Sequence, residues 1–255
     1  DWSPSLIDTV VWYDASDATT IIGGSPVTQW SDRSGNGRDA SSITGDPTVT
    51  SALWNGLDAI SFDGNDSMKT SGLTLSLDSL QFAMVFQLNS AGPAYQGGFS
   101  FEGDTFEFRE KNNQEALQVK SDTGAGVSWP STGTGLFTYG TPFIGTYSYD
   151  GSLHSLYANG VPGGSQAQTG TYDVTKFVIA HVPSNTLNGV VGEIVLVESP
   201  DSFIRQRLEG YLAHKWGLEG DLPSSHPYRN GVPMLYPIVV SATADDPDDA
   251  DGAID

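Results

Sequence analysis

The segment Phe62-Asp63-Gly64-Asn65-Asp66 puts three side-chain oxygen donors within four residues, around a glycine that lets the backbone fold inward. Calcium takes roughly six to eight oxygens at about 2.3–2.6 Å in forgiving geometry. Asp63, Asn65 and Asp66 are therefore expected calcium ligands, although an Asx-turn joining two strands would use the same residues. A second oxygen-rich turn runs from Asp32 to Asp39, with Ser34-Gly35-Asn36-Gly37 supplying residues that tolerate positive φ. Asp32 and Asn36 either cap this turn or donate oxygens to a structural calcium. The third kind of chemistry is aromatic stacking. Trp129 sits in Ser128-Trp129-Pro130, with Pro and Gly around it, and is the expected exposed ring for packing against sugar C–H surfaces. Tyr139, Tyr147 and Tyr149 either extend that platform or pack in the core.

The overall charge favours these readings and removes others. Eleven Lys and Arg stand against 31 Asp and Glu, a net charge of -20 in 255 residues. Such a chain repels phosphate backbones and anionic membrane surfaces, so no nucleic-acid partner and no membrane insertion are expected. It is rich in hard oxygen donors, which suits calcium. Cysteine is absent, which excludes disulfides and thiolate metal sites. No apolar run reaches the ~18 residues of a membrane span. The start at Asp1-Trp2, without Met or a signal peptide, reads as a piece of a longer chain. The four histidines, His154, His181, His214 and His226, show no metal-ligand spacing. A Gly-x-Ser-x-Gly nucleophile elbow is also missing.

Strands must position these groups. Thr9–Tyr13, Ala59–Phe62, Gly98–Phe101, Glu115–Lys120, Phe143–Tyr149, Leu153–Ala158, Phe177–Val182 and Val190–Val197 are rich in β-branched and aromatic residues. Gln81–Leu88 is nearly all apolar, as in a strand buried on both faces. Thr105–Arg109 alternates, as in a half-buried strand. This spacing predicts an all-β, two-sheet antiparallel sandwich. One helix is predicted, capped by Ser199 with Pro200 at its first position, and carrying Phe203, Ile204, Leu208, Tyr211, Leu212 and Trp216 as an apolar stripe for core packing. Gly217 or Gly220 ends it. Residues 1–240 form one domain. Residues 241–255, with the acidic run ADDPDDADGAID, form a linker or the start of a following repeat.

Four segments carry a resemblance. They are Trp30-Ser31-Asp32-Arg33-Ser34-Gly35-Asn36-Gly37-Arg38-Asp39, Ile60-Ser61-Phe62-Asp63-Gly64-Asn65-Asp66, Leu156-Tyr157-Ala158-Asn159-Gly160-Val161, and Gly192-Glu193-Ile194-Val195-Leu196 with the ending GYLAHKWGL…LPSSHPY at residues 210–228. Together, over residues 6 to 235, they resemble the concanavalin A-like, laminin-G-like jelly-roll lectin domains of large bacterial surface adhesins. The resemblance implies a secreted or cell-surface, calcium-dependent module that binds glycans, or peptides on the same fold, as a monomeric unit within a larger multidomain chain. By strand order in laminin-G-like and pentraxin-like sandwiches, it also implies a rim site. Asp104 would meet the loop Pro183-Ser184-Asn185 there, so Asp104 is a further expected calcium ligand, and Asp104, Ser184 and Asn185 join Trp129 as expected ligand-binding residues.

The segment Glu102-Gly103-Asp104-Thr105-Phe106-Glu107 matches E-x-D-x-x-E, the pattern of retaining β-glucanases on the same sandwich. That chemistry needs two carboxyls about 5–5.5 Å apart, pointing from one continuous strand into one cleft. Gly103-Asp104 reads instead as a turn that breaks the strand, so a binding module rather than an enzyme is expected.

Overall fold

The computed structural model describes residues 1–92, 94–103, 105–183, 185–199 and 201–234. Asp104, Ser184, Pro200 and the acidic tail lie outside the described residues. Two large antiparallel sheets face each other. The first has eight strands, in the order Val161–Ala167, Leu153–Ala158, Phe143–Tyr149, Leu80–Leu88, Asn188–Val197, Leu57–Asp63 and Thr48–Trp54, with Thr9–Asp14 also paired to Asn188–Val197. The second has nine, in the order Val127–Ser128, Leu117–Asp122, Phe106–Glu110, Gly97–Phe101, Phe177–Ile179, Ser67–Thr70, Ala40–Thr44, Val27–Trp30 and Ile21–Gly23. The expected all-β sandwich with one α-helix is the architecture found.

Period-2 alternation explains the main core. Phe82, Met84 and Phe86 point from the first sheet into the interior, against Phe99, Phe106 and Phe108 of the second. The intervening Ala83 and Val85 point the other way and are equally buried, because the helix Ser202–Trp216 covers that outer face. This is why Gln81–Leu88 reads as a nearly unbroken apolar run. Tyr147 and Tyr149 are fully buried among these rings. They belong to the core and form no sugar platform.

The helix starts later than expected. Its N-cap is Asp201, whose carboxylate accepts from the Phe203 amide at 2.9 Å. Gly217 closes it in the left-handed region, φ 74°. Leu208, Leu212 and Trp216 dock on the sheet, whereas Phe203 is exposed with the Arg207 guanidinium over its ring.

Beneath the helix lies a buried polar centre. Glu193 Oε1 accepts from Trp12 Nε1 at 2.7 Å and Tyr211 Oη at 3.0 Å, and its Oε2 accepts from Lys215 Nζ at 2.7 Å and Trp216 Nε1 at 2.8 Å. Burial pushes the Glu193 carboxyl up, opposed by the Lys215 ammonium. Lys215 also reaches Asp14 at 2.7 Å, and Arg33 pairs with the same carboxylate. The resemblance motifs around Trp30–Gly37, Gly192-Glu193 and GYLAHKWGL thus meet at one helix–sheet joint. Gly192 is required there, since a Cβ at that position would lie 2.9 Å from the Trp216 ring.

Candidate functional site

Strands Leu57–Asp63, Leu80–Leu88 and Asn188–Val197 place Asp63, Asn89 and Asn188 at one end of the sandwich, where Asn188 pairs directly with Asp63. The turn after Asp63 brings back Asp66, which is buried and accepts from the Asp63 amide at 2.9 Å and the Asp46 amide at 2.7 Å. The carboxylate oxygens of Asp46, Asp63 and Asp66 lie within 4.8 Å of one another. They line a cavity of about 250 Å³ with Asn89 and Asn188. Among the described residues no Lys or Arg pairs with any of the three. Asp63 and Asp66 are thus brought together as expected. Asn65 Oδ1 and Asp66 Oδ1 both face Gly45, where a Cβ would sit 2.8 Å from the first and closer still to the second, so the Asn65 oxygen stays beside the same acidic turn. Asp46 escaped sequence reasoning because it lies on another turn, Gly45-Asp46-Pro47, whose Gly45 sits at φ 74°.

The Asp32–Asp39 turn has a different role. Asp32 Oδ1 accepts from the Trp12 and Ser34 amides, and its Oδ2 from Ser34 Oγ and the Arg38 amide, all between 2.7 and 3.1 Å. Asn36 uses its amide nitrogen to hold the Thr9 and Val10 carbonyls at 2.9 and 3.2 Å. With its oxygens engaged by four donors, Asp32 organises the turn rather than offering a free face to calcium, and Asn36 acts as a donor that ties the turn to Thr9–Asp14.

The described residues on either side of the expected rim pair stand at opposite ends of one strand. The Glu102-Gly103 turn closes on Lys176, whose carbonyl takes the Glu102 amide at 3.1 Å and whose Nζ lies 2.7 Å from the carboxylate. Asn185 lies at the other end of strand Gly97–Phe101, in the hairpin His181–Thr186 that packs Val182 against Gly97. At about 3.3 Å per residue, the strand keeps the two loops well over 10 Å apart. Asp104 and Ser184 themselves lie outside the described residues.

Asn185 joins a different set. Its Nδ2 donates to the Ala94 carbonyl, and Thr186 Oγ1 donates to the Gly64 carbonyl of the acidic turn. Next to Ala94, the Tyr95 ring stacks on the Arg109 guanidinium at 4.3 Å, and Trp129 stacks on it at 4.9 Å. The Trp129 side is the exposed one, with 43% of that residue accessible. Arg109 is held flat by Glu107 Oε2 at 2.6 Å and Gln118 Oε1 at 3.0 Å. The Trp129 amide donates to Gln166 Oε1 at 3.1 Å. Beside Trp129 opens a cavity of about 360 Å³ lined by Ser128, Ser152, Gln166, Gln168 and Thr169, with Val127 and Ala167. Its size lies in the ~300–1,000 Å³ range of small-molecule sites. Tyr95, Arg109, Gln118 and Gln166 were missed, because their meeting depends on strand pairing and a loop contact, not on spacing. Tyr139 lies elsewhere, half-buried against Glu110, and burial pushes its phenol up to about 12.

The carboxylates of the E-x-D-x-x-E segment do not converge. One strand ends at Phe101 and the next begins at Phe106, so Glu102 lies in the turn, with Gly103 at φ 94°, while Glu107 stands on the following strand. The Lys176 ammonium beside Glu102 holds its carboxyl below the usual range, the wrong direction for a general acid. Glu107 is buried and carries Arg109 and Lys120. The half-buried character expected for Thr105–Arg109 is corrected here: every residue of Phe106–Glu110 is buried, the polar ones through these ion pairs. A reducing-end assay on β-glucan should show no release above a blank. Release by the wild type, abolished in Glu102→Gln, would reinstate hydrolysis.

Comparison with known proteins places the fold. Domain 4 of AbnA, a GH43 extracellular arabinanase from Geobacillus stearothermophilus, solved with arabinotriose, matches with a TM-score of 0.56 at 12% identity, over 75% of this chain and 93% of that one. The binding domain of botulinum neurotoxin DC, solved with SialylT, matches at 0.59 and 10% identity, over 80% of this chain and 51% of that one. The same domain with rat synaptotagmin II matches at 0.55 and 10% identity, over 78% and 50%. This chain therefore spans about half the length of the toxin domain. At these identities the likeness is one of fold. No protein-family model matches the sequence, and no curated protein matches it.

Proposed function

We propose that this chain is a carbohydrate-binding module, and that Trp129 is its stacking platform. The observation carrying this reading is an exposed indole locked on one face by Arg109, beside a cavity of serine, threonine and glutamine side chains. A flat apolar ring next to hydroxyl- and amide-lined space offers a sugar both its C–H contacts and its hydrogen bonds. The rigid backing lowers the ordering cost of binding. The likeness in fold to domains solved with arabinotriose and with SialylT supports the same reading. A glycan array probed with wild type and Trp129→Ala tests it. Ring stacking is worth about 1–3 kcal/mol when a base packs on an aromatic, so a sugar bound here should weaken roughly tenfold or more in the variant. Array binding unchanged in Trp129→Ala would overturn the assignment.

Calcium belongs to the same proposal. Asp46, Asp63 and Asp66 form a hard-oxygen set with uncompensated repulsion, which a divalent cation would relieve. Thr186 ties that turn to the hairpin carrying Asn185, which holds the loop of Tyr95. An ion at the acidic turn would steady the platform through these contacts. An ion that binds only the folded state stabilises it by about 2.7 kcal/mol at a hundredfold excess over Kd. Chelation should therefore lower the melting temperature by several degrees, and Asp63→Asn with Asp66→Asn should reproduce the loss without chelator. Equal melting curves with calcium and with chelator would refute the calcium reading. The setting that fits is an adhesin module at a bacterial cell surface.

A further inference from the structure

Two open sheet edges meet beside Trp129. Strand Val161–Ala167 ends the eight-stranded sheet and strand Val127–Ser128 ends the nine-stranded one. The Gly164 amide reaches across to the Ser131 carbonyl at 2.9 Å, and the cavity of about 360 Å³ opens along this seam. Gln166 stands opposite His154 in register. Directly opposed residues share one face of a sheet, and His154 is buried against Ser128. Gln166 therefore projects from the side of its strand that faces the seam, and Gln168 follows two residues on.

The two glutamines are used differently. Gln168 is saturated. Its Oε1 accepts from the Ser121 and Ser128 hydroxyls, and its Nε2 donates to the Ser121 and Gly126 carbonyls. Gln166 Oε1 accepts from the Trp129 amide, while its Nε2 has no partner among the described residues. A backbone N–H can only donate, so this bond fixes which end of the side chain faces Trp129 and leaves the amide donors for the cavity. The serine hydroxyls of the lining are engaged, Ser128 with Gln168 and His154 and Ser152 with Asp150. No side chain of the lining carries a charge. Two carboxylates adjoin it, Asp122 paired in register with Val127 and Asp150 beneath Ser152. The Leu153 amide and the Ser152 hydroxyl hold the Asp150 carboxyl below its usual range, so it is ionised. On the Trp129 ring, the Arg109 cation is paired with Glu107 at 2.6 Å.

An anion entering this cavity would gain no matching charge from the lining and would meet the field of a chain with a net charge of -20. We infer that Gln166 selects the sugar at Trp129, donating from its amide to a sugar oxygen, and that the sugar taken is uncharged. This rests on the carbohydrate reading above and names its ligand class and the residue that sets it.

The test uses matched oligosaccharides with the whole chain. Oligogalacturonate is compared with its carboxyl-reduced form, and a cello-oligosaccharide with its uronate form, so that every ring of the acidic member carries a carboxylate. In at least one pair the neutral member should bind about tenfold or more tightly. Gln166→Lys should then raise the acidic-to-neutral affinity ratio about tenfold or more, and Gln166→Glu should lower it. Both are measured at roughly 0.15 M salt, where a charge far from the sugar is screened. Neither variant should change the melting temperature, because residue 166 is exposed. A purely structural hold on the Trp129 amide would leave the ratio unmoved in both variants, and that result would overturn the inference. So would an acidic member bound as tightly as its neutral partner and lost in Trp129→Ala, which would leave the carbohydrate reading standing. Binding by no member would overturn both.

Discussion

Trp216→Ala is expected to destabilise the fold by about 3–5 kcal/mol, the range for truncating a buried large aromatic. The ring is almost wholly buried, lies edge-on to Trp54 with centroids 5.9 Å apart, and covers Gly192. Its Nε1 donates to Glu193, which has no access to water. Removing it opens a cavity and takes one of four donors from a buried carboxylate, so both losses act in the same direction. Trp216→Phe separates them. It keeps most of the packing and deletes the hydrogen bond, so it should cost about 1–3 kcal/mol. Urea unfolding measures both. A loss below about 1 kcal/mol for the alanine variant would mean that the helix does not depend on this joint.

The second large effect is a pH dependence centred on His154. The imidazole is buried, with Nε2 2.9 Å from Ser128 Oγ and Nδ1 3.1 Å from Tyr147 Oη. The network continues through Tyr172 and Ser121 to Gln168, and among the described residues no carboxylate hydrogen-bonds to the imidazole. Burial pushes the imidazole down to about 4 from its usual 6.5. In the unfolded chain the histidine takes up a proton as pH falls below 6.5, while the folded state resists until about 4. The contribution of neutral His154 is therefore present above 6.5 and lost as pH falls through that window. The full loss is about 3 kcal/mol, at about 1.4 kcal/mol per pH unit of separation. Carboxylates titrate over part of the same range, so the quantity to measure is the difference between wild type and His154→Gln. Their unfolding free energies should converge as pH drops from 7 towards 4. Parallel curves would mean that His154 is not protonated on unfolding in this range.

Local chemistry was enough to read much of this protein. The run Gln81–Leu88 announced a strand covered on both faces, because its even and odd residues both needed an apolar neighbour. Helix periodicity located Leu208, Leu212 and Trp216, and the Gly217 stop followed from the left-handed conformation that glycine adopts without strain. The exposure of Trp129 followed from its Pro- and Gly-rich surroundings, and the pairing of Asp63 with Asp66 from their spacing on one turn.

What the sequence left undecided depended on which strands become neighbours and in which direction they run. Asp46 reaches the acidic turn only because Gly45 passes against Asn65 and Asp66. Arg109 meets Trp129 and Tyr95 only after strands Phe106–Glu110 and Leu117–Asp122 pair. Asn185 sits at the far end of strand Gly97–Phe101 from the Glu102 turn, since strand direction, not order along the chain, sets which loops share a rim. The motifs that are most conspicuous in the sequence, around Glu193 and Lys215, turned out to join the helix to the sheet. A buried carboxylate must find donors wherever the fold provides them, and here Trp12, Tyr211, Lys215 and Trp216 arrive from two elements far apart in the chain.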